Sequence, residues 1–270
     1  ASRESSVNFT PIHALDGIIT PNGLCFERHH AGTAVVDPAD YQLMIHGLVD
    51  KPLILTLDDL QRLPRVNRVY FLECSGNSAL EWGNAMFNGV QFTHGMVHCV
   101  MYTGVPLKII LEAAGFKTSA KWLLVEGGDA AGMNRSLPLA KALDDCLIAF
   151  KMNGEALREE NGYPARLVVP GWEGNMWIKW IRRIEAGDQP WHSREETSKY
   201  TDLLKGGAAR RFTYVMDAKS VITSPSPQMP LKYKGQNVIS GIAWSGRGAV
   251  KRVDVSMDGG RNWITARLDG

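Results

Sequence analysis

The sequence predicts an α+β protein in which mixed sheets are interspersed with short helices. Apolar runs of strand length, such as residues 69–73 and 166–169, recur along the first 212 residues. The helical patterns between them are short and do not alternate regularly with the strands, which argues against a doubly wound parallel sheet. From about Phe212 the pattern changes to alternating strands and turns, which predicts a second, all-β region.

The first region is predicted element by element. The first forty residues are rich in proline and glycine and read as loops. Strands are then predicted at 41–47, 69–73, 121–126, 147–150, 166–171 and 177–181. Short helices are predicted after the N-cap Thr56, over 107–114 up to Gly115, and over 136–143. Asn153-Gly154 predicts a tight turn.

The second region is expected to be the opening part of an all-β sandwich. Residues 238–244 and 250–257 alternate as strands, and Asp258-Gly259-Gly260 predicts a turn before a further strand at 262–265. Such a sandwich needs roughly 100 residues. Only about 58 residues remain, so either the sequence stops partway through this domain, which we favour, or the domain is unusually small. We expect a first domain at 1–212 and a truncated sandwich at 213–270.

The composition excludes several classes of function. Apolar residues make up 44% and charged residues 21%, as in an ordinary soluble globular protein. Lysine plus arginine exceed the acidic residues by only 30 to 28, and no basic run with interleaved aromatics occurs, so no nucleic-acid partner is predicted. No apolar stretch of about 18 residues predicts a membrane span. The first six residues resemble neither a signal nor a transit peptide; they are compatible with a mature end left by processing, which composition does not decide.

The four cysteines lie far apart at Cys25, Cys74, Cys99 and Cys146. No C-x-x-C pair for zinc and no C-x-x-C-H sequence for covalent haem is present, and four thiols in 270 residues do not make a disulfide framework. If the chain does redox chemistry, its electrons are expected to pass to another protein.

Cys74 is the strongest candidate for chemistry. A run of apolar residues delivers it to a Ser-Gly-Asn turn, which would hold its thiol at a sheet edge. A thiolate is a soft ligand suited to a redox-active metal. A buried cysteine acting as a small hydrophobe remains the commoner alternative.

The remaining polar candidates each have a plain alternative. Gly127 to Gly132 lacks the G-x-G-x-x-G spacing, so nucleotide binding is not predicted and a loop is favoured. Arg28 precedes two adjacent histidines, His29 and His30, in a predicted loop. There these side chains can converge on an anion, for which Arg28 offers a planar fork, although a surface loop is favoured for this segment taken alone. Arg166 and Lys179 lie in very apolar runs, so each is either exposed at an edge or directed at an anionic ligand such as a phosphate.

Five motifs in order resemble the sulfite oxidase family of molybdenum enzymes. The resemblance covers nearly the whole chain. They are Phe26-Glu27-Arg28-His29-His30 (F-x-R-N-H), Glu73-Cys74-Ser75-Gly76-Asn77 (E-C-[AS]-G-N), Asp129 of the Gly-rich loop, Lys151-Met152-Asn153-Gly154 with 162–171 (M-N-G…G-[FY]-P-x-R-x-V-V-P-G), and Ile178-Lys179-Trp180 ([VI]-K-W). The region from Phe212 resembles the immunoglobulin-like dimerisation domain of the same family.

The resemblance implies a molybdenum–molybdopterin cofactor and assigns roles to individual residues. Cys74 would be the metal ligand. The residues expected to bind the pterin and its phosphate are Phe26, Arg28, His29, His30, Asp129, Asn161, Arg166 and Lys179. Tyr200 and Trp82 match family residues near the substrate, and Tyr200 would hydrogen-bond the reacting anion.

The departures from the family pattern point to a particular substrate. Sulfite-oxidising relatives carry an arginine that binds sulfite where this chain has Ala79 after Ser78; His29 replaces an asparagine and Asn161 a histidine. Losing a charge-assisted hydrogen bond costs about 1.5–3 kcal/mol, so free sulfite should bind poorly.

Within the family, the resemblance is strongest to catalytic subunits of Sox sulfane dehydrogenases. It implies oxidation of sulfane sulfur on a carrier-protein cysteine during thiosulfate oxidation in the periplasm. It also implies electron transfer to a c-type cytochrome subunit and a dimer of heterodimers. The alternatives are a sulfite dehydrogenase of the same fold and a non-catalytic scaffold or binding module.

Overall fold

The computed structural model describes residues 5–83 and 89–269. Its strands are β1 (Ser6–Asn8), β2 (Glu27–His29), β3 (Leu43–Gly47), β4 (Leu53–Leu55), β5 (Val66–Glu73), β6 (Val97–Pro106), β7 (Trp122–Gly127), β8 (Asn134–Pro138), β9 (Leu147–Met152), β10 (Glu155–Ala156), β11 (Arg166–Val168), β12 (Ile181–Gly187), β13 (Thr201–Leu203), β14 (Ala209–Arg211), β15 (Lys219–Ser224), β16 (Ser240–Trp244), β17 (Asp254–Val255) and β18 (Ile264–Thr265). The α-helices are α1 (Leu57–Arg62), α2 (Val90–His94), α3 (Leu107–Ala114), α4 (Leu139–Asp144) and α5 (Arg194–Ser198). Among the described residues, no helix is both long and apolar enough to cross a membrane.

Two five-stranded sheets build the first region and confirm the predicted α+β class. One has the order β10-β9-β6-β5, with β11 also paired to β9; the other has the order β4-β3-β12-β7-β8. The pairs are antiparallel except for β12 with β3, which run parallel. Both sheets, together with α3, contribute side chains to one large apolar core.

Local signals set several boundaries where they were predicted. Thr56 caps α1 through a capping box with Asp59, and α1 ends before Pro64. Helix α3 ends at Gly115, whose φ of +66° provides the left-handed conformation that glycine adopts without steric cost. Asn153 and Gly154, both at positive φ, turn β9 into β10.

Three local predictions were wrong. Residues 177–180 are not a strand, because β12 begins only at Ile181, and the preceding apolar residues form a buried irregular segment instead. The helix predicted from Ser136 begins at Leu139, since residues 134–138 pair with β7. The predicted loop at 26–30 contains strand β2, which pairs with β1.

The second region contains the strand pairs β15–β16 and β17–β18. Residues just after the predicted boundary still contact the first region. The ring of Tyr214 stacks on Trp172 at 4.2 Å between centroids, and Val215 forms an isolated bridge with the same residue. Met216 donates its backbone N–H to Gly171. The division at 212/213 stays a prediction.

Candidate molybdopterin site

Ten of the eleven predicted site residues line one cavity. This cavity has about 730 Å³ of empty space, its open mouth included. The ten residues are Phe26, Arg28, His29, His30, Cys74, Asp129, Asn161, Arg166, Lys179 and Tyr200. The eleventh, Trp82, does not line the cavity; it lies on the 3-10 helix Ala79–Gly83 with 92% of its surface exposed. Its contact with substrate stays a prediction.

Cys74 lies immediately after β5, in a turn that backbone hydrogen bonds fix on both sides. Its N–H donates to the Met96 carbonyl at 3.0 Å, and its own carbonyl accepts from Asn77 N–H at 2.9 Å. Burial raises the pKa of the Cys74 thiol, while a backbone N–H from Gly76 and the charge of Arg28 lower it. A bound metal ion removes that proton outright, so a half-buried thiol suits a ligand.

Gly174 explains how the opposite wall approaches the cysteine strand so closely. A Cβ atom at Gly174 would lie 2.7 Å from the Glu73 carbonyl oxygen and 3.2 Å from Cys74 Cα. Any side chain here would push the 3-10 helix Gly174–Met176 away from Cys74. The glycine therefore sets the width of the cavity at the thiol.

His29 and Lys179 join two walls of the cavity. The Lys179 ammonium lies 2.9 Å from His29 Nδ1 and donates to the carbonyls of Glu160 at 2.9 Å and Arg28 at 3.3 Å. The other ring nitrogen of His29 lies 3.3 Å from a Glu27 carboxylate oxygen. Burial lowers the pKa of His29 to about 4, and the charge of Lys179 lowers it further, so the ring is neutral near pH 7.

His30 lies just after β2 and contacts a different group from its neighbour His29. His30 Nε2 lies 3.2 Å from the Tyr200 hydroxyl, across the cavity. Burial raises the pKa of Tyr200 to about 12, so the phenol stays protonated and can donate a hydrogen bond to an anionic group. Both histidines line the cavity, and their convergence on one anion stays a prediction.

Arg166 is buried rather than exposed at an edge, with only 3% of its surface accessible. It donates to the carbonyl of Asn161 at 2.9 Å and to that of Trp177 at 3.1 Å. Asp129 accepts the N–H of Met133 at 2.8 Å and so closes its own turn while lining the cavity. Both residues shape the walls, and their predicted contacts with the cofactor stay predictions.

Unsatisfied polar atoms on these walls fit a pterin and its phosphate. His30 Nδ1, Asn161 Oδ1, Asn175 Oδ1 and Arg166 Nε are buried and have no hydrogen-bond partner among the described residues. Buried polar groups are nearly always hydrogen-bonded, so four such atoms around one cavity indicate a polar ligand. A pterin offers both donors and acceptors, and its phosphate accepts from arginine.

Sequence reasoning missed several residues of the site, Asn175 among them. Asn175 lines the cavity and donates to Ser75 Oγ at 3.3 Å, but a lone asparagine after glycine carries no signal of this kind. Arg135, which was also missed, is 1% exposed, does not itself line the cavity and places its guanidinium 4.6 Å from the ring centre of Tyr200. A charge between Met133 and Leu137 was the available hint.

Comparisons with known proteins agree with this geometry. The sequence profile described as the oxidoreductase molybdopterin binding domain matches residues 30–195, and that of the Mo-co oxidoreductase dimerisation domain matches residues 210–270. Mitochondrial sulfite oxidase of Rattus norvegicus is 32% identical over 275 residues, which cover 94% of this chain and 50% of the relative. Nitrate reductase [NADH] of Ulva prolifera is 30% identical over 290 residues, which cover 95% of this chain and 33% of the relative.

A solved structure matches the whole chain. The crystal structure of the sulfane dehydrogenase SoxCD from Paracoccus pantotrophus superposes with a TM-score of 0.97 at 59% identity, covering 100% of this chain and 70% of that one. The chain spans about half the length of the curated sulfite oxidases it matches. Its fold, its cysteine-centred cavity and the two profile matches show that the chain belongs to the sulfite oxidase family of molybdopterin-binding oxidoreductases, followed by that family's dimerisation domain.

Proposed function

We propose that the protein oxidises the sulfane sulfur of a persulfide on a carrier-protein cysteine and passes the electrons to a c-type cytochrome subunit in the periplasm. The observation that carries the proposal is Ala79, a neutral and exposed residue five positions after Cys74, where sulfite-oxidising relatives carry an arginine. It opens a 3-10 helix that also exposes Leu80 and Trp82 and carries one acidic residue, Glu81. Without the arginine, this helix offers exposed apolar side chains and no cation, which suits a protein-borne substrate better than a small dianion.

The reaction has a simple balance. Each two-electron oxidation moves one oxygen atom from water to the terminal sulfur and releases two protons and two electrons. The molybdenum cofactor, held by Cys74, supplies the two-electron redox chemistry when bound. This chain contains no C-x-x-C-H haem sequence, so the proposal includes a separate electron acceptor.

The side chains of this chain would bind and orient the two reactants. Arg28, Arg166 and His30 would hold the cofactor through charge and hydrogen bonds. Tyr200, a protonated phenol on the cavity wall, would donate a hydrogen bond to the anionic sulfur or its oxygens. Arg135, whose guanidinium lies 4.6 Å from the ring centre of Tyr200, would hold that ring in place.

A comparison of two substrates tests the proposal. A persulfide on a carrier-protein cysteine should be oxidised with cytochrome c as acceptor, and free sulfite should be a poor substrate. Turnover of free sulfite at a micromolar KM would instead support a sulfite dehydrogenase, the alternative favoured by the 32% identity to sulfite oxidases.

Ala79→Arg sharpens the same test. A restored charge-assisted hydrogen bond of about 1.5–3 kcal/mol should lower the KM for sulfite roughly 10- to 150-fold. Ala79→Gln is the matched control, because it adds similar bulk without the charge and should leave that KM high. An unchanged KM in Ala79→Arg would contradict the role given to this position.

Elemental analysis separates the enzyme from a scaffold. We expect about one molybdenum atom per chain in protein from its native host, as one cofactor per catalytic domain requires. Native protein without molybdenum would support a non-catalytic module that keeps the fold.

A further inference from the structure

Glu73, the residue before Cys74, is a fully buried carboxylate with three side-chain donors. Its exposed fraction is 0%. One oxygen accepts from Asn77 Nδ2 at 3.0 Å and from Lys219 Nζ at 2.8 Å, and the other accepts from Trp244 Nε1 at 2.6 Å. A buried carboxylate is tolerated only with partners of this kind, so the position of Glu73 is tied to all three.

Two of those donors come from the second region. Lys219 opens β15 and Trp244 ends β16, and the two residues face each other in the register of that strand pair. Directly opposed residues in an antiparallel pair project from the same face of the sheet, so both reach Glu73 together. The Lys219 ammonium also lies 3.3 Å from the Asn77 carbonyl and 3.3 Å from Ser78 Oγ. These donors therefore reach both sides of the Cys74 turn.

The contact between the second region and Glu73 includes apolar packing as well as charged hydrogen bonds. Trp244 is 6% exposed and packs in a small apolar cluster with Ile12 and Val97. Val97 is the partner of Glu73 in the β5–β6 register. Asn77, the third donor to Glu73, also accepts the N–H of Met96. The cluster and the hydrogen bonds thus connect β16 to the backbone on both sides of Cys74.

We propose that Lys219 and Trp244 are positioning residues for the metal ligand Cys74, so that the dimerisation domain completes the molybdenum site of its own chain. This role goes beyond dimerisation, because it acts within one chain and through Glu73. It rests on Cys74 being the metal ligand, as proposed above. Residues that bind a metal are commonly oriented by hydrogen bonds with residues that do not themselves bind it.

Two single substitutions test the proposal in the holoenzyme. Lys219→Met removes the ammonium but keeps the length of the side chain, and Trp244→Phe removes one N–H but keeps an aromatic ring in the cluster. The matched controls are Lys251→Met and Trp263→Phe, both at exposed positions of the same region. Lys219→Arg should restore the behaviour of the wild type, because it returns a cationic donor.

Two readouts report on the cysteine turn. Hydrogen–deuterium exchange of the peptide 72–80 should accelerate roughly tenfold or more in both variants, as expected for the loss of a charged hydrogen bond. The Mo(V) electron paramagnetic resonance spectrum should shift in its g values, because the sulfur ligand is reoriented. Neither control should change either readout.

The results separate a positioning role from a merely structural one. A change of exchange at 72–80 or of the Mo(V) spectrum in both variants, absent from both controls, supports the proposal. Wild-type exchange and a wild-type spectrum, with only a lower melting temperature, would overturn it. Exchange at 72–80 does not depend on a metal signal and can be measured with or without molybdenum, so protein lacking molybdenum would count against the proposed function alone and leave the exchange comparison decisive.

Discussion

His29→Asn should remove part of the acid sensitivity of the folded protein. The ring is 1% exposed and neutral, and its pKa is lowered to about 4 by burial first and then by Lys179 and Arg28. The unfolded chain has the ordinary histidine value of about 6.5. Between these values the unfolded state binds a proton that the folded state does not, so stability is lost as the pH falls from about 6.5 to about 4.

The size of the effect follows from the two pKa values. They differ by about 2.5, and each pKa unit corresponds to about 1.4 kcal/mol, so wild-type protein should lose about 3 kcal/mol relative to His29→Asn over this range. Asparagine can still accept a hydrogen bond from Lys179 but does not titrate. Near pH 7 the variant should therefore be no more stable than wild type. As the pH falls, its free energy of unfolding should rise relative to that of wild type.

Urea unfolding at several pH values measures the difference. The informative quantity is the free energy of unfolding of the variant minus that of wild type, since the other acidic groups cancel in it. His192→Asn is the matched control at an exposed histidine whose φ of +50° asparagine tolerates. A difference for His29→Asn that stays constant from about pH 7 to about pH 4 would refute the buried, neutral ring.

Two further predictions concern the cavity. Tyr200→Phe should reduce kcat/KM for the persulfide about tenfold or more while leaving molybdenum content unchanged, because it removes a hydrogen bond to an anion and keeps the aromatic ring in the cavity wall. Equal kcat/KM in the two proteins would remove Tyr200 from the substrate's contacts. Gly174→Ala should lower the free energy of unfolding by about 1–3 kcal/mol and should also lower the molybdenum content, because the added Cβ would lie 2.7 Å from the Glu73 carbonyl oxygen. Gly23→Ala, whose Cβ would meet the end of a flexible arginine side chain at 3.3 Å, is the control and should change neither quantity.

The parts of the fold that follow from local chemistry could be predicted from the sequence. Thr56 and Gly115 mark the ends of α1 and α3 because capping and left-handed turns depend on single residues. The apolar segment before β12 was misassigned because a buried irregular segment and a buried strand have the same composition. What distinguishes them is the pairing partner, which the sequence does not display.

The candidate site divides in the same way. Cys74 and Lys179 were predicted from their unusual surroundings and from the resemblance, and both line the cavity. The three protein contacts of the Lys179 ammonium were not predictable, since they depend on segments far apart in the chain. Lys219 and Trp244 meet Glu73 across 146 and 171 residues, and no local pattern marks such contacts.

Counting the sulfur ligands of molybdenum tests the central claim most directly. X-ray absorption at the molybdenum K-edge should show one sulfur ligand fewer in Cys74→Ser than in wild type, because the serine oxygen replaces the thiolate. Cys99→Ser is the matched control at a half-buried cysteine outside the cavity and should keep the wild-type number. The same number of sulfur ligands in wild type and Cys74→Ser would show that Cys74 does not bind the metal.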